Sequence, residues 1–331
     1  MTMRRHVALR LGLIASLAGG MSAPGAARDL MLGLPLDCTL GETCFVQNYV
    51  DHDPGPGAAD FTCGGLSYDD HKGTDFAIPD RRAMRAGVDV LAAAPGRIRA
   101  TRDQWPDIAF GSPGAPDLKG QDCGNGVLID HGGGWETQYC HMKQGSISVK
   151  PGQRVAKGAV LGQVGLSGRS EFPHLHLSLR HDGGVIDPFD AGPITSCGGA
   201  PARSLWQNTL PYSGGGIIAI GVAPHMPDFT EVRDGRAGWP VVPAKAPALV
   251  LWAHVFGARA GDRLHFRLQG PDGIVVQGDA ALAKSQARLF RATGTRLKGA
   301  QWPAGTYRGT VTMRRGKEGI SRRVLSIRVE G

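Results

Sequence analysis

Two histidines stand two residues apart in FPHLHLSLR (172–180), and another stands four residues before an aspartate in YDDHKGTDFA (68–77). Another, His141, stands near the end of the run QYCHM (138–142). Imidazole and carboxylate are good ligands for zinc, whose catalytic sites commonly combine three protein ligands with an open water position. His71, Asp75 and His176 would supply such a set. Because side chains alternate along a strand, His174 and His176 project to one side. Both could bind a metal, or one could bind while its neighbour moves protons; two solvated histidines on a polar face would look the same.

The elements that must hold these residues read as strands. Pro173 keeps Phe172 extended, and Gly73 gives the backbone freedom to bend between His71 and Asp75. Short apolar runs punctuated by glycine follow one another: CFVQNYV, GTDFAIP, VDVLAAAPGRIRAT, GNGVLIDHG, ETQYCHM, SISVKPGQRVAKGAVLGQVG and HLHLSLR. Such a series predicts antiparallel sheets joined by hairpins. Residues 103–122, rich in Pro, Gly and Asp, read as a long loop, a common neighbour of a site. After LPYSGGG (210–216) a second rhythm of alternating strands runs to the end without cysteine and predicts a β-sandwich of immunoglobulin type. His225, His254 and His265 in that part form no metal-like cluster.

The chain has 331 residues, a net charge of +8, 50 glycines and 22 prolines, which fits one large or two ordinary β-rich domains. Its beginning, from Arg4 and Arg5 through an apolar run to Gly25 and Ala27, has the three-part build of an export leader cleaved after Ala27. Its apolar run is too short for a membrane span, and no later stretch spans one. Six cysteines in an exported chain predict disulfides. Of fifteen possible pairings we expect Cys38 with Cys44, Cys123 with Cys140, and Cys63 with Cys197. The basic balance fits several polyanions; an exported chain argues against nucleic acid.

Over roughly residues 63–190 the chain resembles the lysostaphin and LytM-type zinc peptidases that cut peptidoglycan peptides (the M23 peptidases). The likeness runs through HKGTDFA, VLAAAPGRI, GNGVLIDHGGGWETQYCHM, VKPGQRVAKGAVLGQVGLSGRS, PHLHLSLR and the later Asp187-Pro188. It implies Zn²⁺ bound by His71, Asp75 and His176, with His141 and His174 as active-site histidines that do not ligate it. The segment DRRAMRAG, the 103–122 loop and Ser178, where an acidic residue often stands, depart from the pattern.

The expected organisation is a leader at 1–27, a disulfide-bearing extension at 28–62, a hairpin-rich barrel-sandwich peptidase domain at 63–205, and an accessory sandwich at 212–331. The expected activity is zinc-dependent hydrolysis of peptidoglycan stem peptides or cross-links in the periplasm or cell envelope. An envelope protein partner of the accessory domain is compatible with this reading, and no stable membrane insertion is expected after leader cleavage. A rival is a non-catalytic module that binds cell wall or activates a hydrolase while retaining its metal site. Another is a peptidase of glycine-rich secreted proteins. A biotinyl or lipoyl carrier domain would share the glycine-punctuated hairpins, but it needs an exposed hairpin-tip lysine that we do not find. Asp69, Asp70 and His52 read as loop residues or partners of a ligand imidazole, His131 as a turn cap, His181 as solvated, and Tyr139 receives no role.

Overall fold

Alternating side chains and glycine corners produce an almost entirely β structure in the computed structural model, which describes residues 1–2, 30–194, 197–198 and 203–331. Beyond its first two residues the leader region lies outside the described residues. No described helix is long and apolar enough to cross a membrane.

The first group of elements is β1 (Phe45–Asn48), β2 (Thr74–Ala77), α1 (Arg81–Ala86), β3 (Asp89–Leu91), β4 (Gly96–Arg102), β5 (Asn125–Gly132), β6 (Trp135–Met142), β7 (Arg154–Val155), β8 (Val160–Gln163), β9 (His174–His181) and β10 (Gly184–Ile186). The main sheet runs β1-β2-β9-β6-β5-β4-β7, with β10 on β9, and β3 pairs with β8 separately. These pairings are antiparallel. Leu175, Leu177 and Leu179 point from β9 into the core beside Phe76, Ile129 and Tyr139, so the intervening histidines face the opposite way.

The second group is β11 (Gly216–Ala223), α2 (Phe229–Asp234), β12 (Val241–Pro243), β13 (Ala248–Ala258), β14 (Arg263–Gly270), β15 (Gly273–Ala281), β16 (Gln286–Arg296), β17 (Gly305–Arg315) and β18 (Glu318–Glu330). A three-stranded sheet, β11-β13-β16, packs on a five-stranded one, β12-β18-β17-β14-β15, around a core containing Leu251, Phe266, Tyr307 and Val311. β12 joins β18 in parallel, an exception to the antiparallel expectation. The short helices were not read from sequence. Each is six residues long and begins at an aspartate cap, Asp80 or Asp228, followed by a charged stretch with little apolar period.

The two groups touch. Phe45 of β1 stacks on Phe256 of β13 with ring centres 4.7 Å apart, Arg81 of α1 pairs with Asp234 of α2, and Gln47 Nε2 donates to the Ala287 carbonyl. Three disulfides join Cys38 to Cys44, Cys63 to Cys197 and Cys123 to Cys140, the expected pairing. The longest, closing a sequence separation of 134, ties the segment before β2 to the segment after β10. The 103–122 loop carries no strand but is anchored: Asp103 accepts from the Gly145 and Ile147 amides, and Asp107 from those of Leu166 and Gln144.

Candidate metal centre

Three neighbouring strands, β2, β9 and β6, put the chemistry-bearing residues in register. Asp75 is paired across the sheet with His176, Ala77 with His174, and Cys140 with His176, which leaves His141 one step beyond. His71 arrives from the loop before β2, its amide donating to the Tyr68 carbonyl and its Nδ1 to the Tyr49 carbonyl at 2.7 Å. That bond fixes the tautomer and leaves Nε2 with its lone pair facing Asp75. The role of Gly73 is space: a Cβ there would meet His176 Nε2 at 2.6 Å and the Leu177 carbonyl at 2.7 Å, while its backbone does not occupy the left-handed region.

His71 Nε2 is 3.2 Å from Asp75 Oδ1 and 3.1 Å from His176 Nδ1, and the last two atoms are 2.8 Å apart. The three residues offer ligand atoms that all lie within 4.8 Å of one another. With Nδ1 of His176 turned to that common point, its Nε2–H donates to Ser178 Oγ at 3.0 Å. The second carboxylate oxygen of Asp75 accepts from Asn48 Nδ2 at 2.8 Å. Two imidazole nitrogens and a carboxylate oxygen, each oriented by a hydrogen bond made elsewhere on the same side chain, fit a divalent metal with nitrogen and oxygen ligands.

His141 and His174 stand beside this group. Their ring centres are 4.7 Å apart, and His141 lies 6.0 Å from His176. His141 Nδ1 donates to the Ser167 carbonyl at 2.8 Å and His174 Nδ1 to the Phe172 carbonyl at 2.9 Å, so each keeps Nε2 as its basic atom. His174 Nε2 is 3.5 Å from Asp75 Oδ1. His141 has a φ of 62°, rare for a residue with a side chain, and is held there by the adjacent Cys123–Cys140 bridge and by bonds from its amide to the Cys123 carbonyl and to its own carbonyl from the Gly165 amide.

The electrostatics follow from burial and neighbours. Burial pushes the Asp75 carboxyl up, but the imidazoles of His71, His174 and His176 outweigh it and hold the group well below the usual carboxylate range. Burial lowers His71, yet Asp75 and the Tyr49 carbonyl raise it above the ordinary imidazole value. Burial, with His174 and His176 nearby, holds His141 well below that value, and burial also lowers His174. His141 and His174 are therefore neutral near pH 7.

These groups line a cleft of about 790 Å³ whose walls include Tyr68, Phe110, Arg169, Arg180 and Ala287. The 103–122 loop supplies Phe110, with Arg169 over its ring, so this long loop shapes the cleft. Asp69 and Asp70 sit on the rim. His52 is buried and 3.0 Å from Asp187, a pair away from the metal group where sequence reading left it on a loop. His131 Nδ1 donates to the Pro95 carbonyl and its Nε2 is 2.7 Å from Thr137 Oγ1, and half-exposed His181 stacks on Trp135. Tyr139 is fully buried and bonds to the Ala93 amide. Sequence reading missed Asn48 and Tyr68 and gave Ser178 only as a departure. Strand alternation, which puts Ser178 on the face of His176, was the available signal.

Residues 69–188 match the model of Peptidase family M23. The peptidoglycan DD-endopeptidase ShyA of Vibrio cholerae serotype O1 is 32% identical over 41% of this chain and 26% of its own length. The DD-carboxypeptidase/endopeptidase Mpg of Neisseria meningitidis serogroup B is 34% identical over 36% of this chain and 22% of its length. The cell division protein DipM of Caulobacter vibrioides is 35% identical over 30% of this chain and 14% of its length. The chain thus spans about a quarter or less of these relatives. Over residues 69–188 the resemblance to the M23 peptidases read from the sequence is borne out.

Proposed function

We propose that the protein is a zinc-dependent endopeptidase acting on peptide bonds of peptidoglycan in the cell envelope. The observation that carries this reading is the convergence of His71, Asp75 and His176 at one point, beside two neutral histidines that keep their Nε2 atoms basic. The relatives named as DD-endopeptidases support the substrate class, and the exported character read in the leader supports the compartment. In this reading residues 63–205 form the catalytic unit and 212–331 an accessory domain.

A zinc ion held by His71, Asp75 and His176 would supply Lewis acidity and would make a water acidic enough to attack near neutral pH. The rest of the work belongs to the chain. His174 Nε2 or His141 Nε2 accepts the proton lost by the attacking water and returns it to the leaving amine, and the other ring, which also carries its proton on Nδ1, donates from Nε2 to an oxyanion on the scissile carbonyl only in its protonated form. The Phe172 and Ser167 carbonyls hold these rings in the tautomer the proton transfer requires. Asn48 and Ser178 orient Asp75 and His176. The aromatic and cationic walls of the cleft orient the peptide.

A comparison of substrates tests the assignment. Purified cross-linked peptidoglycan peptides and a glycine-rich linear peptide are offered to the zinc-loaded protein. Cleavage of the former in preference is expected; preference for the glycine-rich peptide would move the substrate to secreted proteins.

A further inference from the structure

The positive charge of the chain is concentrated in its C-terminal part. Residues 212–331 contain 18 Lys and Arg against 8 Asp and Glu, more than the excess of the whole chain, whose net charge is +8. The sandwich core takes the inner face of the five-stranded sheet through Leu264, Phe266, Leu268, Val311 and Met313. Residues alternating with these must face outward. They include Arg263 and Arg267 on β14, Arg308 and Arg314 on β17, and Arg322 and Arg328 on β18, all exposed.

The register packs part of this row closely. Arg267 lies opposite Thr310, Gln269 opposite Arg308, and Thr312 opposite Arg322. Neighbouring strands are about 4.8 Å apart and alternate residues about 6.8 Å apart, so Arg267, Arg308 and Arg322 surround the hydroxyls of Thr310 and Thr312. Together with Gln277 they line a shallow depression of about 620 Å³. The acidic side chain in that depression, Asp279, is matched to His265 at 2.5 Å. Among the described residues, Arg263, Arg267, Arg308, Arg314 and Arg322 have no carboxylate partner within salt-bridge distance. A row of like charges on one sheet face costs stability unless something neutralises it.

We propose that this outer sheet face is a docking surface for an anionic polysaccharide, a flexible glycan chain bearing phosphate or carboxylate groups at regular intervals. Guanidinium groups pair with those anions through two parallel N–H donors, while the interleaved Thr and Gln side chains bond to sugar hydroxyls. The face lacks exposed aromatic side chains on which bases would stack, which disfavours single-stranded nucleic acid. Its exposed aliphatics, Val324 and Ile274, make no wedge of the kind that enters a bilayer. The inference adds to the peptidase reading a means of holding the protein at an anionic envelope polymer, but the binding itself does not depend on that reading.

The test uses the full mature chain and fluorescein-labelled dextran sulfate, with neutral dextran, an oligothymidine and vesicles containing phosphatidylglycerol alongside. Dextran sulfate should bind saturably at low ionic strength, weaken steeply with salt, and exceed the other probes. R267Q/R308Q/R322Q should weaken it at least tenfold, whereas K119Q/K150Q/R154Q, an equal loss of charge among exposed residues of the first group of elements, should change it less than twofold. Equal effects of the two triple variants would overturn the proposal by showing attraction to net charge alone. Preference for the oligonucleotide or the vesicles would overturn it in favour of those partners. His176→Ala should bind dextran sulfate normally whether or not the protein is a peptidase, and R267Q/R308Q/R322Q should leave hydrolysis of a short soluble peptide unchanged, so the two readings fail separately.

Discussion

The guanidinium carbon of Arg288 lies 3.8 Å from the centre of the Phe172 ring, so a strand of the C-terminal sandwich reaches the wall of the histidine cleft. Phe172 stacks in turn on His174 with ring centres 4.6 Å apart, and its carbonyl accepts the His174 Nδ1 proton. Arg288 is itself fixed by donation from Nε to Gln47 Oε1 at 3.0 Å. The C-terminal sandwich therefore buttresses a histidine two residues from a proposed ligand.

Removing that buttress should loosen His174 without removing the metal group. Arg288→Ala is expected to lower kcat roughly ten- to a hundredfold, with KM nearly unchanged and zinc content intact. Steady-state kinetics on a soluble cross-linked peptide, with metal analysis, checks this. A variant that loses zinc, or changes KM alone, would contradict it.

The four site histidines and Asp75 should divide into two groups. Replacing His71, Asp75 or His176 by alanine should abolish stoichiometric zinc binding. Replacing His141 or His174 should retain zinc and cost about 10²–10⁴ in rate. Elemental analysis beside turnover distinguishes the groups.

Ser178 departs from the acidic residue often found after the HxH pair, yet its hydroxyl accepts from His176 Nε2. Ser178→Ala should weaken zinc affinity by about 10- to 100-fold, and Asn48→Ala, which strips Asp75 of its donor, should act in the same direction. Competition against a metal-binding dye measures both.

His254 predicts an acid-sensitive stability. The ring is buried, both of its nitrogens lack a hydrogen-bond partner, and burial together with Arg288 and Arg233 holds it well below the ordinary imidazole value. In the unfolded chain it takes a proton near pH 6.5, so the unfolded state binds more protons as pH falls below that point. Its contribution is fully present above about pH 6.5 and is lost as pH falls. His254→Leu should raise stability at pH 7 by about 1–3 kcal/mol through removal of unpartnered polar atoms, and flatten the decline between pH 7 and pH 5. Urea titrations at several pH values show both effects.

Much of this was legible in the residues. Strand alternation gave the shared face of His174 and His176, glycine and proline marked the hairpin corners, and the cysteine pairing followed the expected set. Gly73 was read as a bend, but it makes room for His176, a need that arises only when β9 lies against the preceding loop. His52 carried no local sign that it would be buried against Asp187, far along the chain. Arg288 is likewise far along the chain from Phe172, and only the packing of the two sheet systems brings them together. The short helices were hidden because six residues show less than two turns of any period.

The central claim, metal-dependent hydrolysis by this histidine–aspartate group, is tested most directly by mass spectrometry of a defined cross-linked peptidoglycan dimer incubated with the purified protein. We predict cleavage at a peptide bond that stops on chelation, returns with one equivalent of zinc, and is absent in His174→Ala although that variant binds zinc. An intact dimer in the presence of zinc-loaded, folded protein would contradict the account.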